Sequence, residues 1–213
     1  MSRTIHLVTK GIPMRKDEPN PALIRCEGCG SATPTYDVVN YGSIEGGYRR
    51  LCTHCFNAEV ASDHGLEHFE NLRFHPVVMT DCAGQAHEFH FRARLLGTMV
   101  ALEAFEVEDG APAGYQFQML GEPEGDLLAL LGRLIERMRR RLSDRDLEQT
   151  EHGMRIAARL VRARIEWDEK TDDLLPLVVI DGQEVSWEEF GRMLMCFEGW
   201  QFRMEIRDRS EEA

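Results

Sequence analysis

The sequence predicts an α+β protein: a small four-cysteine metal module, then an antiparallel β-meander with a covering helix, then a C-terminal β-β-α-β unit. Three observations carry this. Cys26-Glu27-Gly28-Cys29 and Cys52-Thr53-His54-Cys55 form two CxxC pairs, with residues 30 to 51 between them. Phe89, Phe91, Ala93 and Leu95 alternate with Glu88, His90, Arg92 and Arg94, the period of a half-buried strand. Leu127, Leu130, Leu131, Leu134, Ile135, Met138 and Leu142 recur at steps of three and four, which gives a helix one apolar face. The organisation expected is a leader and linker over 1–25, the metal module over 26–65, the meander with its helix over 66–143 and the last unit over 144–213.

Residues 1–25 hold one strand-like stretch, Thr4 to Val8. Turn signals at Gly11, Pro13, Pro19 and Pro21 then mark a mildly basic, disordered leader. The two CxxC pairs follow. Each pair brings two sulfurs to one cation without strain, and two pairs complete the tetrahedron of a structural zinc site. Cys26, Cys29, Cys52 and Cys55 are therefore the expected ligands of one structural Zn2+. A redox CxxC would need only one pair beside a strand and helix. An iron site of the rubredoxin kind shares the double pair, but the second pair here lacks the Pro and Gly of such a loop. His54 is expected to face solvent, since four thiolates already close the site. Between the pairs, Thr35 to Tyr41 is β-prone, Gly42, Gly46 and Gly47 mark a turn, and Tyr48 to Leu51 returns to Cys52. A short helix from Phe56 to Ala61 stops near Gly65. Knuckle, hairpin, second pair and helix resemble the treble-clef zinc finger over residues 26–64, and are similar to the four-cysteine adaptor domains of some bacterial ATPases and regulators. That resemblance implies metal binding and no particular activity.

Past the finger, Pro76 to Met79 reads as a strand turning at Asp81 to Gly84. The strand around Phe89 to Leu95 breaks at Gly97. Thr98 to Val107 is its partner, ending at Glu108-Asp109-Gly110, and Tyr115, Phe117 and Met119 alternate in a further short strand. The helix opens at Asp126 with acids and closes on Arg139-Arg140-Arg141, as the macrodipole favours. Residues 143–159 read as a connection with a helical turn. Val161, Ala163, Ile165 and Trp167 alternate in a strand, Glu169 to Asp173 is a polar turn, and Leu174 to Ile180 is a strand ending in the hairpin signal Asp181-Gly182. Ser186-Trp187-Glu188-Glu189 fits a helix N-terminus with a capping box. That helix runs through Phe190, Met193, Leu194 and Phe197 to Gly199. Trp200, Phe202, Met204 and Ile206 alternate with polar residues in a last strand, before a frayed end at Ser210 to Ala213. The stretch from Ile180 to Phe202 is similar to segments of uncharacterised bacterial proteins, which implies no activity.

Charge and composition narrow the function. The net charge is −12, opposite to a nucleic-acid footprint. The finger adds two arginines against five acids, a net of −3 before its thiolates. Its one basic counterpart, Arg133, Arg137, Arg139, Arg140 and Arg141, reads first as a solvated helix end. No run of eighteen apolar residues suggests a membrane span, and the start is too short and polar for a signal peptide. With its cysteines grouped as ligands, the protein is expected in a reducing cytoplasm. Cys82 and Cys196 are expected as small buried residues. His87 and His90 lie three apart on a strand, so they point to opposite faces. Gly65 interrupts His64 and His68, and no P-loop, nucleophile elbow or HExxH occurs. Asp168, Glu169, Asp172, Asp173 and Asp181 read as turn acids. Trp167, Trp187 and Trp200 are expected in the core. The expected role is contact with another protein, or regulation. A metal-dependent hydrolase or nuclease using these acids and histidines is an alternative. Nucleic-acid binding through the finger and Arg133–Arg141 is another.

Overall fold

The computed structural model describes residues 22–168 and 175–211. The chain is α+β, with five antiparallel sheets and three α-helices among the described residues. The expected strand at Thr4–Val8 and the whole of the polar turn at 169–173 lie outside them. No helix among the described residues is long and apolar enough to cross a membrane.

The cysteine module begins inside the stretch expected as leader. Strand β1 (Leu23–Arg25) pairs with β2 (Ala32–Pro34), and the two clamp the first CxxC between them. A 3-10 turn over Thr35–Asp37 shortens the expected β-prone run, so that β3 (Val38–Ser43) pairs with β4 (Gly47–Cys52) from Val38↔Cys52 to Ser43↔Gly47. Helix α1 (Thr53–His64) starts one residue after Cys52. Gly65 ends it in the left-handed region (φ 64°), its N–H closing on the carbonyls of Ala61 and Ser62.

The meander is one four-stranded sheet in the order β5 (Val77–Thr80), β6 (Ala86–Leu96), β7 (Met99–Glu108), β8 (Ala111–Gly121). β8 runs well beyond the expected 115–119. It is fixed by a two-residue turn in which Asp109 and Gly110 both take positive φ (50° and 78°), the geometry that Asp-Gly accepts most readily. Asp126 caps α2 (Leu127–Ser143) by accepting from the Ala129 N–H at 2.8 Å, and Leu127, Leu130, Leu134, Met138 and Leu142 form its buried stripe. That stripe packs with Phe89, Leu95, Leu102 and Phe117 in one cluster. Leu51, Phe56 and Val60 of the cysteine module belong to the same cluster, so the module and the meander share a core.

Asn57 explains how α1 docks. β5 pairs with β6 only from Ala86 to Phe89, so β6 is an open edge beyond that point. The buried Asn57 amide occupies the edge as a strand would: Nδ2 donates to Ala93 O at 2.7 Å, and Oδ1 accepts from Leu95 N–H at 2.9 Å. A helix side chain thus satisfies backbone groups that would otherwise be buried without partners.

Residues 147–156, expected as a connection with helical content, form a hairpin instead: β9 (Leu147–Thr150) with β10 (Gly153–Ile156). Gly153 (φ 109°) supplies the turn conformation that a helix would not need. β11 (Ala163–Trp167), β12 (Pro176–Ile180) and β13 (Gln183–Ser186) make a sheet in that order, and Ser186 caps α3 (Trp187–Leu194) by accepting from Glu189 N–H at 3.2 Å. Val178, Ile180, Val185 and Met193 form a second, smaller core with Leu147 and Ile156.

Three expectations fail here. Trp167, Trp187 and Trp200 are exposed rather than in the core. Residues 200–207 take no place in any sheet among the described residues, so the β-β-α-β unit lacks its last strand. Cys82 and Cys196 are exposed thiols. Cys82 sits in the turn after β5, where alternation gives no information about which side faces water. Cys196 sits on a 3-10 turn after α3, past the helix's buried stripe.

Candidate metal centre

Each half of the site is set by its local backbone. The β1–β2 clamp closes Cys26 to Ser31 into a turn, with Cys26 N–H donating to Ser31 O at 2.9 Å and Gly30 N–H to Cys26 O at 2.9 Å. Glu27 fastens this turn to β4, its N–H donating to Arg50 O at 2.8 Å and its carboxylate accepting from Arg50 N–H. Cys52 ends β4 and Cys55 lies in the first turn of α1, so the strand-to-helix junction places the second pair opposite the first.

The four sulfurs lie within 4.8 Å of one another, and the four cysteines are positioned to bind a metal ion. Cys29 Sγ and Cys52 Sγ are 3.9 Å apart. Four thiolates at tetrahedral metal–sulfur distances of about 2.3 Å place their sulfurs about 3.8 Å apart, so the geometry fits one small dication. Cys26 and Cys52 are buried, Cys55 half-buried and Cys29 exposed. Backbone N–H groups point at the sulfurs, with Cys52 N–H donating to Cys26 Sγ at 3.2 Å and Gly28 N–H at 3.4 Å. The approach is close at Gly28. A Cβ there would stand 3.1 Å from both Cβ and Sγ of Cys55.

The electrostatics divide the sulfurs into two pairs. The Ser31 hydroxyl and N–H hold the Cys29 thiol down at about 6. Burial pushes Cys26 up, but the N–H groups of Cys29, Cys52 and Gly28 outweigh it and leave Cys26 below its ordinary value. Burial pushes Cys52 up, and burial with the neighbouring sulfurs pushes Cys55 up further. Four thiolates this close repel one another, and a bound cation is what lets all four ionise together.

The remaining sequence candidates disperse. His54 does not face solvent as expected. It is half-buried, with Nδ1 enclosed and unpartnered, and lines a cleft of about 170 Å³ between α1 and β6 with Asp37, Tyr36 and His90. His90 Nδ1 lies 3.1 Å from the Tyr36 hydroxyl in that cleft. His87 points the other way, as the strand period requires. It is buried, with Nδ1 2.8 Å from Glu106 Oε1. His64 caps its own helix against Val60 O. Asp181 is a structural acid, accepting from Asp146 N–H (2.7 Å), Leu147 N–H (2.8 Å) and Arg141 Nη2 (2.7 Å). Asp168 is buried at the end of β11, while 169, 172 and 173 fall outside the described residues.

The arginine run is not the uniformly solvated helix end expected. Arg141 turns inward to Asp146 and Asp181, and Arg137 donates to the carbonyls of Gln118, Ser210 and Glu211. Arg139 remains exposed. Sequence reasoning missed Arg141 because the acids that claim it lie 5 and 40 residues away and meet it only when β9 and the β12–β13 turn close over the end of α2.

Three sequence families match, each described as a domain of unknown function: DUF7685 over residues 25–67, DUF7686 over 70–143 and DUF7713 over 145–211. No curated protein and no solved structure matches the chain.

Proposed function

We propose that the chain is a zinc-binding protein in which one structural Zn2+, held by Cys26, Cys29, Cys52 and Cys55, builds a treble-clef finger that acts in contact with another protein. The finger, the meander with its helix, and the C-terminal unit are three modules of one chain, with cytoplasmic residence as the reading that suits reduced thiols. The observation that carries the metal reading is the cluster of four sulfurs within 4.8 Å, ordered by a knuckle, a hairpin and a helix N-terminus. All-sulfur sites of this spacing favour zinc. With four sulfurs bound, the ion has no open position for water or substrate, so its contribution is folding energy rather than chemistry. For the contact role, the support is the hairpin of the finger, which holds Ile44 at its tip and Tyr48 beside it out in solvent.

Elemental analysis of the purified chain tests the metal. One zinc per chain is expected, with four thiols becoming titratable on chelation. Unchanged metal stoichiometry in Cys26→Ser would refute the ligand assignment, and iron in place of zinc would refute the metal. For the contact, a protein captured by the wild-type chain should be lost from the Ile44→Asp, Tyr48→Asp double variant while zinc content holds. Capture that survives places the contact elsewhere.

A further inference from the structure

The second core is open on one side. Register pairs Ala163 with Ile180 and Ile165 with Val178, so Ala163, Ile165 and Trp167 lie on the same face of the sheet as Val178 and Ile180, the two β12 residues of the second core. Yet β11 is an edge strand, and Ile165 and Trp167 are each 59% exposed. The opposite face of β11 is occupied, since Arg164 donates to Gly114 O of β8 at 3.0 Å and Glu166 accepts from Gln116 at 3.4 Å. An amphipathic strand therefore presents its apolar side to water. Residues 200–207 are exposed throughout, with Phe202, Met204 and Ile206 at 80%, 61% and 74%.

We propose that residues 200–207 of one copy add as an antiparallel strand to β11 of a second copy, and reciprocally, in a two-fold dimer. The occupant is argued from side-chain complementarity. Antiparallel pairing that sets Ile165 opposite Met204 also sets Ala163 opposite Ile206 and Trp167 opposite Phe202. On the other face the same register sets Arg164 opposite Glu205 and Glu166 opposite Arg203. The three apolar pairs match and the two charged pairs are opposite in sign, which is what cross-strand neighbours require, with the intrachain pairs Arg164–Glu166 and Arg207–Glu205 exchanged for intermolecular ones. Within one chain this direction is not available. Trp200 stacks under Arg159, just before β11, and Arg209 reaches Gln116, which bonds Glu166 near its end, so the segment runs past its own β11 in parallel. The parallel alignment that pairs Arg164 with Glu205 sets Trp167 opposite Asp208. The apolar side chains exposed on the segment and the edge amount to on the order of 600 Å² per copy, approaching the roughly 800 Å² per partner of a standard interface. Exchange under a two-fold axis covers both copies at once and removes an open sheet edge.

Sedimentation of the full chain tests this. The expected mass is twice the 24.4 kDa of one chain. Glu166→Arg alone and Arg203→Glu alone should each weaken the dimer about tenfold, since each places like charges opposite one another at two symmetric contacts, and the two together should restore it. Circular dichroism checks that each variant is folded. A wild-type chain that sediments as a monomer at every concentration overturns the proposal without recourse to a variant. A dimer in which Arg207→Glu, and not Arg203→Glu, rescues Glu166→Arg overturns the antiparallel register.

Discussion

Asn57→Ala should uncouple the cysteine module from the meander. The amide is buried and bridges α1 to β6 through Ala93 O and Leu95 N–H. It also donates to Asn71 Oδ1 at 3.2 Å, and Asn71 in turn holds His54 O. Truncation removes two hydrogen bonds to backbone and leaves a carbonyl and an N–H at a covered sheet edge. Each orphaned group costs about 1–3 kcal/mol, so the expected loss is about 3 kcal/mol. For a chain of this length that lowers the melting temperature by about 10 °C. Denaturant unfolding measures the loss, and amide exchange at Leu95 localises it, because that N–H should lose protection before the rest of β6. Leu95 exchanging as in wild type, with less than about 0.5 kcal/mol of destabilisation, within the range of ordinary surface changes, would refute the docking argument. The shared core carries a corollary. Because Leu51, Phe56 and Val60 pack in the same cluster as Phe89 and Leu134, chelation should loosen the meander as well as the module.

Three further outcomes follow from buried charge and close approach. Glu103 is 2% exposed. Burial pushes its carboxyl up, but Arg92 and Arg94 outweigh that and hold it below the ordinary range, so its stabilisation is present above the unfolded carboxyl value of about 4.3 and is lost as pH falls below it. Glu103→Gln should cost about 3 kcal/mol at neutral pH by removing the counter-charge that Arg92 and Arg94 share, and denaturant unfolding across pH should show the deficit against wild type shrinking as pH falls below about 4.3, because the wild-type carboxylate is then itself protonated. Asp181→Ala should cost about 3 kcal/mol and release the C-terminal unit from α2, read as early exchange of the Asp146 and Leu147 amides. Gly28→Ala should weaken metal affinity about tenfold in competition with a chromophoric chelator, as disturbances just outside a ligand set do.

Local pattern was enough to read the ligands and the long elements. CxxC is a turn that needs no distant partner, so Cys26, Cys29, Cys52 and Cys55 were legible as one site. Leu127 to Leu142 named its own buried stripe, and Asp109-Gly110 and Asp181-Gly182 named their own turns, because positive φ is a property of those residues wherever they stand. The β9–β10 hairpin was not legible, since four-residue strands carry too few alternations to outvote a polar composition.

Alternation at Ile165, Trp167, Phe202 and Ile206 states that a strand has two faces. It does not state which face is covered, and here the apolar one is open while Arg164 and Glu166 lie against β8. The sequence by itself determined the four-thiolate motif, the α+β class and the amphipathic stripes, because each rests on neighbours within a few residues. Only the tertiary structure decided that Asn57 completes the edge of β6, that Arg141 is claimed by Asp146 and Asp181, and that Trp167 and Trp200 face solvent. Those outcomes depend on which groups compete for one buried partner, and the competitors come from distant parts of the chain.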